Sequence, residues 1–199
     1  MRSRASFAAL LRLGAALPAR AGWPLAAELR MAADAASFAP PDLKRQLAKN
    51  RDRLMEGVRD AAAAETGKRD TAAHRAAAAR GAREIAAGIR NRLPFPDVAY
   101  QIGGIVHEIA MAMAPAGLTD AAALEAAKSY TFRGFSDEPF ADPEKLAGAR
   151  LPAGDARTAW DSAVTLDTRL IAWIWKTAGG DSSIVRQHPE KTGPWVSRE

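Results

Sequence analysis

Two histidines and an aspartate are the residues of this chain best placed for chemistry: Asp60, His74 and His107. An acid stands at the end of one helical pattern, and a histidine opens the next after a short turn. A second histidine lies inside the most apolar stretch of the sequence. If packed helices bring them together, one carboxylate and two imidazoles hold a catalytic zinc and leave a position open for water. The same donors suit non-haem iron, so the residue types alone leave the metal open. Each residue also has a plainer reading. His107 can be a core histidine bonded to a carbonyl or an acid, His74 a solvent-facing residue of a first turn, and Asp60 a helix-end acid. The third histidine, His188, falls in a C-terminal tail and carries no pattern.

The elements that must position these groups are helical. Alanine dominates and no run alternates as a strand would. A first helix is expected from about Pro24 to Ser37. A second opens at Pro41-Asp42, with Leu43, Leu47, Leu54 and Val58 on one face, Gly57 near its end and Asp60 at or just past it. Gly67-Lys68-Arg69-Asp70 reads as a turn, followed by a helix from Thr71 to about Arg92. Leu93-Pro94-Phe95-Pro96-Asp97 reads as a rigid connector. The stretch from Val98 to Ala114, VAYQIGGIVHEIAMAMA, is apolar around most of its circumference and belongs at the centre of a bundle. Its Gly103-Gly104 pair lowers helicity by about 1 kcal/mol per glycine and is tolerable where a neighbour packs closely. Thr119 caps a short helix from Asp120 to about Ser129. An aromatic, Gly/Pro-rich loop is expected at about 130–155, then a long helix from Arg157 to Ala178 and an irregular tail. In the last helix, Trp160 and Trp173, with Trp175 on another face, read first as core and second as the lining of an acyl or base pocket.

The first 21 residues have the form of a secretory signal. Arg2 and Arg4 precede an apolar stretch from Ala5, interrupted at Arg12, and Ala19-Arg20-Ala21 is a small-x-small cleavage site. The expectation is a periplasmic or secreted protein with one helical domain over 22–199. The chain carries 28 Lys+Arg against 23 Asp+Glu. Four of those arginines and no acid lie in the signal, leaving 24 basic against 23 acidic residues. The basic balance is therefore mostly the signal's, and no specific nucleic-acid signal remains. There is no cysteine, which excludes disulfides and thiol chemistry. No later stretch reaches the roughly 18 apolar residues of a transmembrane segment.

The run from Gly22-Trp23 through FAPPDLKRQLAKNRDRLMEGVRDA, HRAAAARGAREIAAGI and PFPDVAYQIGGIVHEIAMAMAP resembles the zinc-dependent phospholipase C and single-strand nuclease superfamily. The likeness covers about Trp23 to Pro115. Its elements are a mature chain beginning at Trp, a Leu-rich helix ending in Gly-x-x-x-Asp, a helix starting at His, and a buried helix carrying His-x-x-x-Asp. Gly57-Val58-Arg59-Asp60 is one residue shorter than that pattern, and fourteen residues separate Asp60 from His74 as the family would have it. The resemblance implies an all-α, compact helical bundle with the zinc-dependent phospholipase C fold, and places Asp60, His74 and His107 as ligands of one zinc, with Asp60 at the catalytic centre. Other family ligands are missing: Met111 stands where an aspartate would, Gly117 near the place of a histidine, and Glu28 near that of another. A resemblance of this kind implies an exported, ligand-depleted relative that binds at most one divalent metal. Its activity on a phospholipid or phosphodiester substrate would be weak or absent. The alternative is a non-catalytic helical scaffold or interaction protein of the envelope.

Overall fold

The computed structural model describes residues 22–66, 69–130, 142–149 and 154–181. The segment expected as a signal, His188, Trp195, much of the aromatic stretch and the C-terminal tail lie outside the described residues. Within them the chain is mostly helical, with no strand. The helices are α1 (Leu25–Ser37), α2 (Pro41–Lys49), α3 (Arg51–Ala64), α4 (Thr71–Arg90), α5 (Phe95–Met113), α6 (Asp120–Ala126), α7 (Pro143–Ala147) and α8 (Ala156–Thr177). None is long and apolar enough to cross a membrane.

Local chemistry sets the helix starts. Asp70, Thr119 and Asp155 accept from the backbone N–H groups of Ala73, Ala122 and Thr158, satisfying donors that the first turn leaves unpaired. Prolines lead into α1, α2 and α5, where their missing N–H costs nothing. Three expectations need correction here. Leu93 to Asp97 is not a connector throughout: Phe95-Pro96-Asp97 forms the first turn of α5, the one place a proline is tolerated. The second predicted helix is two, divided at Asn50, and α3 runs on to Ala64, so Asp60 lies within it. The segment expected as loop contains α7.

One hydrophobic cluster draws on all eight helices. α5 is its centre and packs against α1, α3, α4 and α8. The α3–α5 crossing is close because glycine meets backbone. A Cβ on Gly57 would stand 1.9 Å from the Tyr100 carbonyl oxygen, and one on Gly103 would stand 2.2 Å from that of Leu54. Gly103 thus meets the close neighbour its presence in a central helix demands, whereas Gly104 faces open space. At the other side of the core, Trp23 and Trp160 are fully buried and meet edge to face, centroids 5.5 Å apart. Trp173 and Trp175 are only partly buried, and the Trp175 indole donates to the Asp181 carbonyl. Tyr130 anchors the chain leaving α6, packed edge to face on Phe38 and bonded through its hydroxyl to Thr165.

Candidate metal centre

The close α3–α5 crossing and the short link from α3 to α4 bring residues of four other helices and their ends around His107. Glu65 is the residue that terminates α3, leaving the helix in an extended conformation. His74 lies in the first turn of α4, Glu28 in the first turn of α1, and Asp167 midway along α8. His74 is 2% exposed and His107 fully buried, so the solvent-facing expectation for His74 is overturned.

Each imidazole leans on its own carboxylate. His107 Nδ1 is 2.7 Å from Glu28 Oε2, and His74 Nδ1 is 2.8 Å from Glu108 Oε2. With Nδ1–H donating to those acids, each ring turns an Nε2 lone pair the other way. Both Nε2 atoms have the same carboxylate oxygen as a neighbour. Glu65 Oε2 is 3.8 Å from His107 Nε2 and 3.9 Å from His74 Nε2. Those separations are too long for N–H···O bonds. His107 Nε2 has no hydrogen-bond partner among the described residues although it is completely enclosed. Three electron-rich atoms thus converge on a small volume. A tetrahedral zinc with ligands near 2.0–2.1 Å would space its donors roughly 3.3–3.4 Å apart, closer than either N···O separation seen here. Paired carboxylates behind ligating imidazoles are also the usual outer support of such sites.

Among the described residues no group of three or more acids, histidines or cysteines is placed to hold a metal ion. The cation in the cluster is Arg69. Its guanidinium spans Glu65, at 2.7 Å, and Glu108, at 2.8 and 3.0 Å, and these two acids raise its pKa. Arg69 is 40% exposed, so it closes the cluster from the solvent side.

Behind His107 the environment is drier. Asp167 is fully buried and neither of its oxygens has a hydrogen-bond partner among the described residues; Glu28 Oε1 and the indole N–H groups of Trp23 and Trp160 share that condition. Burial, with the charge of Glu28 nearby, raises the Asp167 pKa well above the ordinary carboxyl range.

Of the residues singled out from sequence, His74 and His107 converge and Asp60 does not join them. Asp60 lies on the exposed face of α3, where its Oδ2 accepts the Tyr100 hydroxyl at 3.0 Å and raises that phenol's pKa. The reason is the extra turn of α3, which carries the chain past Asp60 and presents Glu65 instead. Met111, at the position of a missing family ligand, is partly buried and packs beside Gly22: a Cβ there would stand 2.7 Å from its sulfur. Glu65, Glu108, Glu28 and Asp167 are the acids of the cluster. Asp167 did leave a trace, since it interrupts the apolar stripe of Trp160, Ala163, Val164, Leu170, Ile171 and Ile174. Glu108 directly follows His107, and nothing in its spacing distinguishes it from a solvated acid.

Comparison of the chain with family models, curated proteins and solved structures gave no match.

Proposed function

We propose that this chain is an exported helical protein, of zinc-phospholipase-C-like ancestry, whose single centre of Glu65, His74 and His107 binds one divalent metal and supports at most weak phosphodiester hydrolysis. The observation that carries the reading is the convergence of two Nε2 atoms on one carboxylate oxygen, each imidazole oriented by an acid at its Nδ1. A zinc held there supplies Lewis acidity toward a phosphoryl oxygen and acidifies a bound water. The protein's own share is orientation: Glu28 and Glu108 fix the tautomers, and burial beneath α1 and α8 keeps His107 dry. Little in the cluster can neutralise charge on a leaving oxygen. Arg69 is the nearest permanent cation bonded to it, and it is already engaged by two carboxylates. Weak turnover is therefore the expectation, because phosphodiester cleavage by multi-metal sites relies on further ions at that step.

The test is elemental analysis of the purified full chain after dialysis against trace zinc, with His74→Ala and His107→Ala variants checked for folding by circular dichroism. Hydrolysis of bis(p-nitrophenyl) phosphate is measured alongside. About one zinc per chain, lost in both variants, supports the reading. A wild-type protein that binds no zinc, cobalt or manganese overturns it and leaves the cluster as a buried polar network.

A further inference from the structure

A second hollow, of about 560 Å³, lies between α1, α2 and α3 and includes none of the groups of the His–Glu cluster. Its floor exists because α1 presents alanines there: Ala33 and Ala36 are too short to fill the space toward Leu47 and Met55. Its rim is basic. On α3, Arg51, Met55 and Arg59 follow one another at four-residue steps, so two guanidinium groups flank one apolar side chain on the same stripe. Lys44 of α2 contributes a third positive charge. The side chains of Lys44, Arg51 and Arg59 have no ion pair or hydrogen bond among the described residues. The other arginines of these helices are matched, Arg30 of the groove included: Arg30 holds Asp34 at 2.8 Å, Arg45 pairs with Asp42, and Arg53 pairs with Glu56. Among the described residues lining the groove, Asp52 is the one acid, against Arg30, Lys44, Arg51 and Arg59.

We infer that this groove binds a single-chain amphiphile with a phosphate monoester head, the chain lying over the alanine floor and the head between Arg51, Arg59 and Lys44. The hollow is within the roughly 300–1,000 Å³ of small-molecule sites. Guanidinium pairs match phosphate oxygens bidentately, and the surplus of unmatched positive charge suits a head bearing about two negative charges. The chain's own first 21 residues are the wrong occupant, since they carry four arginines and no acid. The two sites are independent, so this inference stands or falls separately from metal binding.

Isothermal titration of the full chain with decyl phosphate, below its aggregation concentration, tests it. Inorganic phosphate and decyl maltoside serve as the head alone and the chain alone. Saturable one-to-one binding of decyl phosphate is expected, with each control weaker by about tenfold or more. The Arg51→Glu, Arg59→Glu double variant alters exposed residues and should bind about tenfold more weakly. If the double variant misfolds, Lys44→Glu carries the same test with a smaller loss. The inference is overturned by absence of decyl phosphate binding to wild type, by equal affinity in the charge-reversed protein, or by decyl maltoside or inorganic phosphate binding equally well.

Discussion

His107 Nε2 stands 3.8 Å from Glu65 Oε2, facing a carboxylate it does not hydrogen-bond. The pair is separated by 42 positions in the chain, and its spacing is too long for donor and acceptor; under the proposed function the two are ligands of one ion. Removing either partner should therefore be felt in metal affinity first. Glu65→Ala is expected to lower zinc affinity beyond the roughly 10–100-fold that loss of an outer-shell partner costs. Asp60→Asn should leave it unchanged, because Asp60 is exposed and engaged with Tyr100. Competition titration against a chromogenic chelator reads both; zinc loss in the Asp60 variant with retention in the Glu65 variant would reverse the assignment.

The contrast between Asp60 and Glu65 marks how far the sequence leads. Periodicity and capping residues mark most of the helices, because Asp70, Thr119 and the prolines act within a turn of where they stand. The burial of His107 was legible from its apolar setting, and the position of His74 after a turn marked it as a candidate, but its burial was not legible. Glu65 was not legible either. Whether the helix stops at Asp60 or a turn later depends on packing against α5, and a shift of five residues changes which acid faces inward. Glu28 is further still, joined to His107 only through the tertiary placement of α1.

Arg69 and Glu108 should have opposite effects. The guanidinium would compete with a metal for Glu65 Oε2, at the cost of a half-buried ion pair. Arg69→Ala is expected to raise zinc affinity by about two- to fivefold, because the arginine's own side of the pair is solvent-screened. Glu108→Gln removes the acid that orients His74 and should lower affinity by roughly 10–100-fold. The same chelator competition measures both. An Arg69 variant that binds less zinc would show the arginine to be a support rather than a competitor.

The helix crossing beneath the site makes a stability prediction. A methyl group on Gly57 would collide with backbone, not with a side chain that can turn away. Gly57→Ala gains helix propensity worth about 1 kcal/mol, but overpacking a rigid contact costs about 1–3 kcal/mol or more. At a 1.9 Å approach the second effect wins, and the variant should be less stable to urea than wild type. Gly104→Ala, on the same central helix but facing open space, should be neutral or stabilising. The contrast between two glycine-to-alanine changes isolates the packing term. Equal urea midpoints for the two variants would refute the close crossing.

Asp167 should leave its mark on the pH dependence of stability. Its carboxyl is enclosed in α8 beside Glu28, and burial holds its folded-state pKa well above the unfolded value of about 3.9. The folded protein therefore keeps a proton that the unfolded chain releases. Stability from this group is fully present below about pH 4 and is lost as pH rises through the raised folded pKa. Asp167→Asn removes that titration while keeping a similar shape. In urea unfolding with EDTA present, so that metal plays no part, the wild type should lose stability more steeply than the variant as pH rises above about 4, and the variant's relative advantage should grow with pH. Parallel pH profiles for the two proteins would mean that Asp167 is charged in the folded state, stabilised by a partner inside the core.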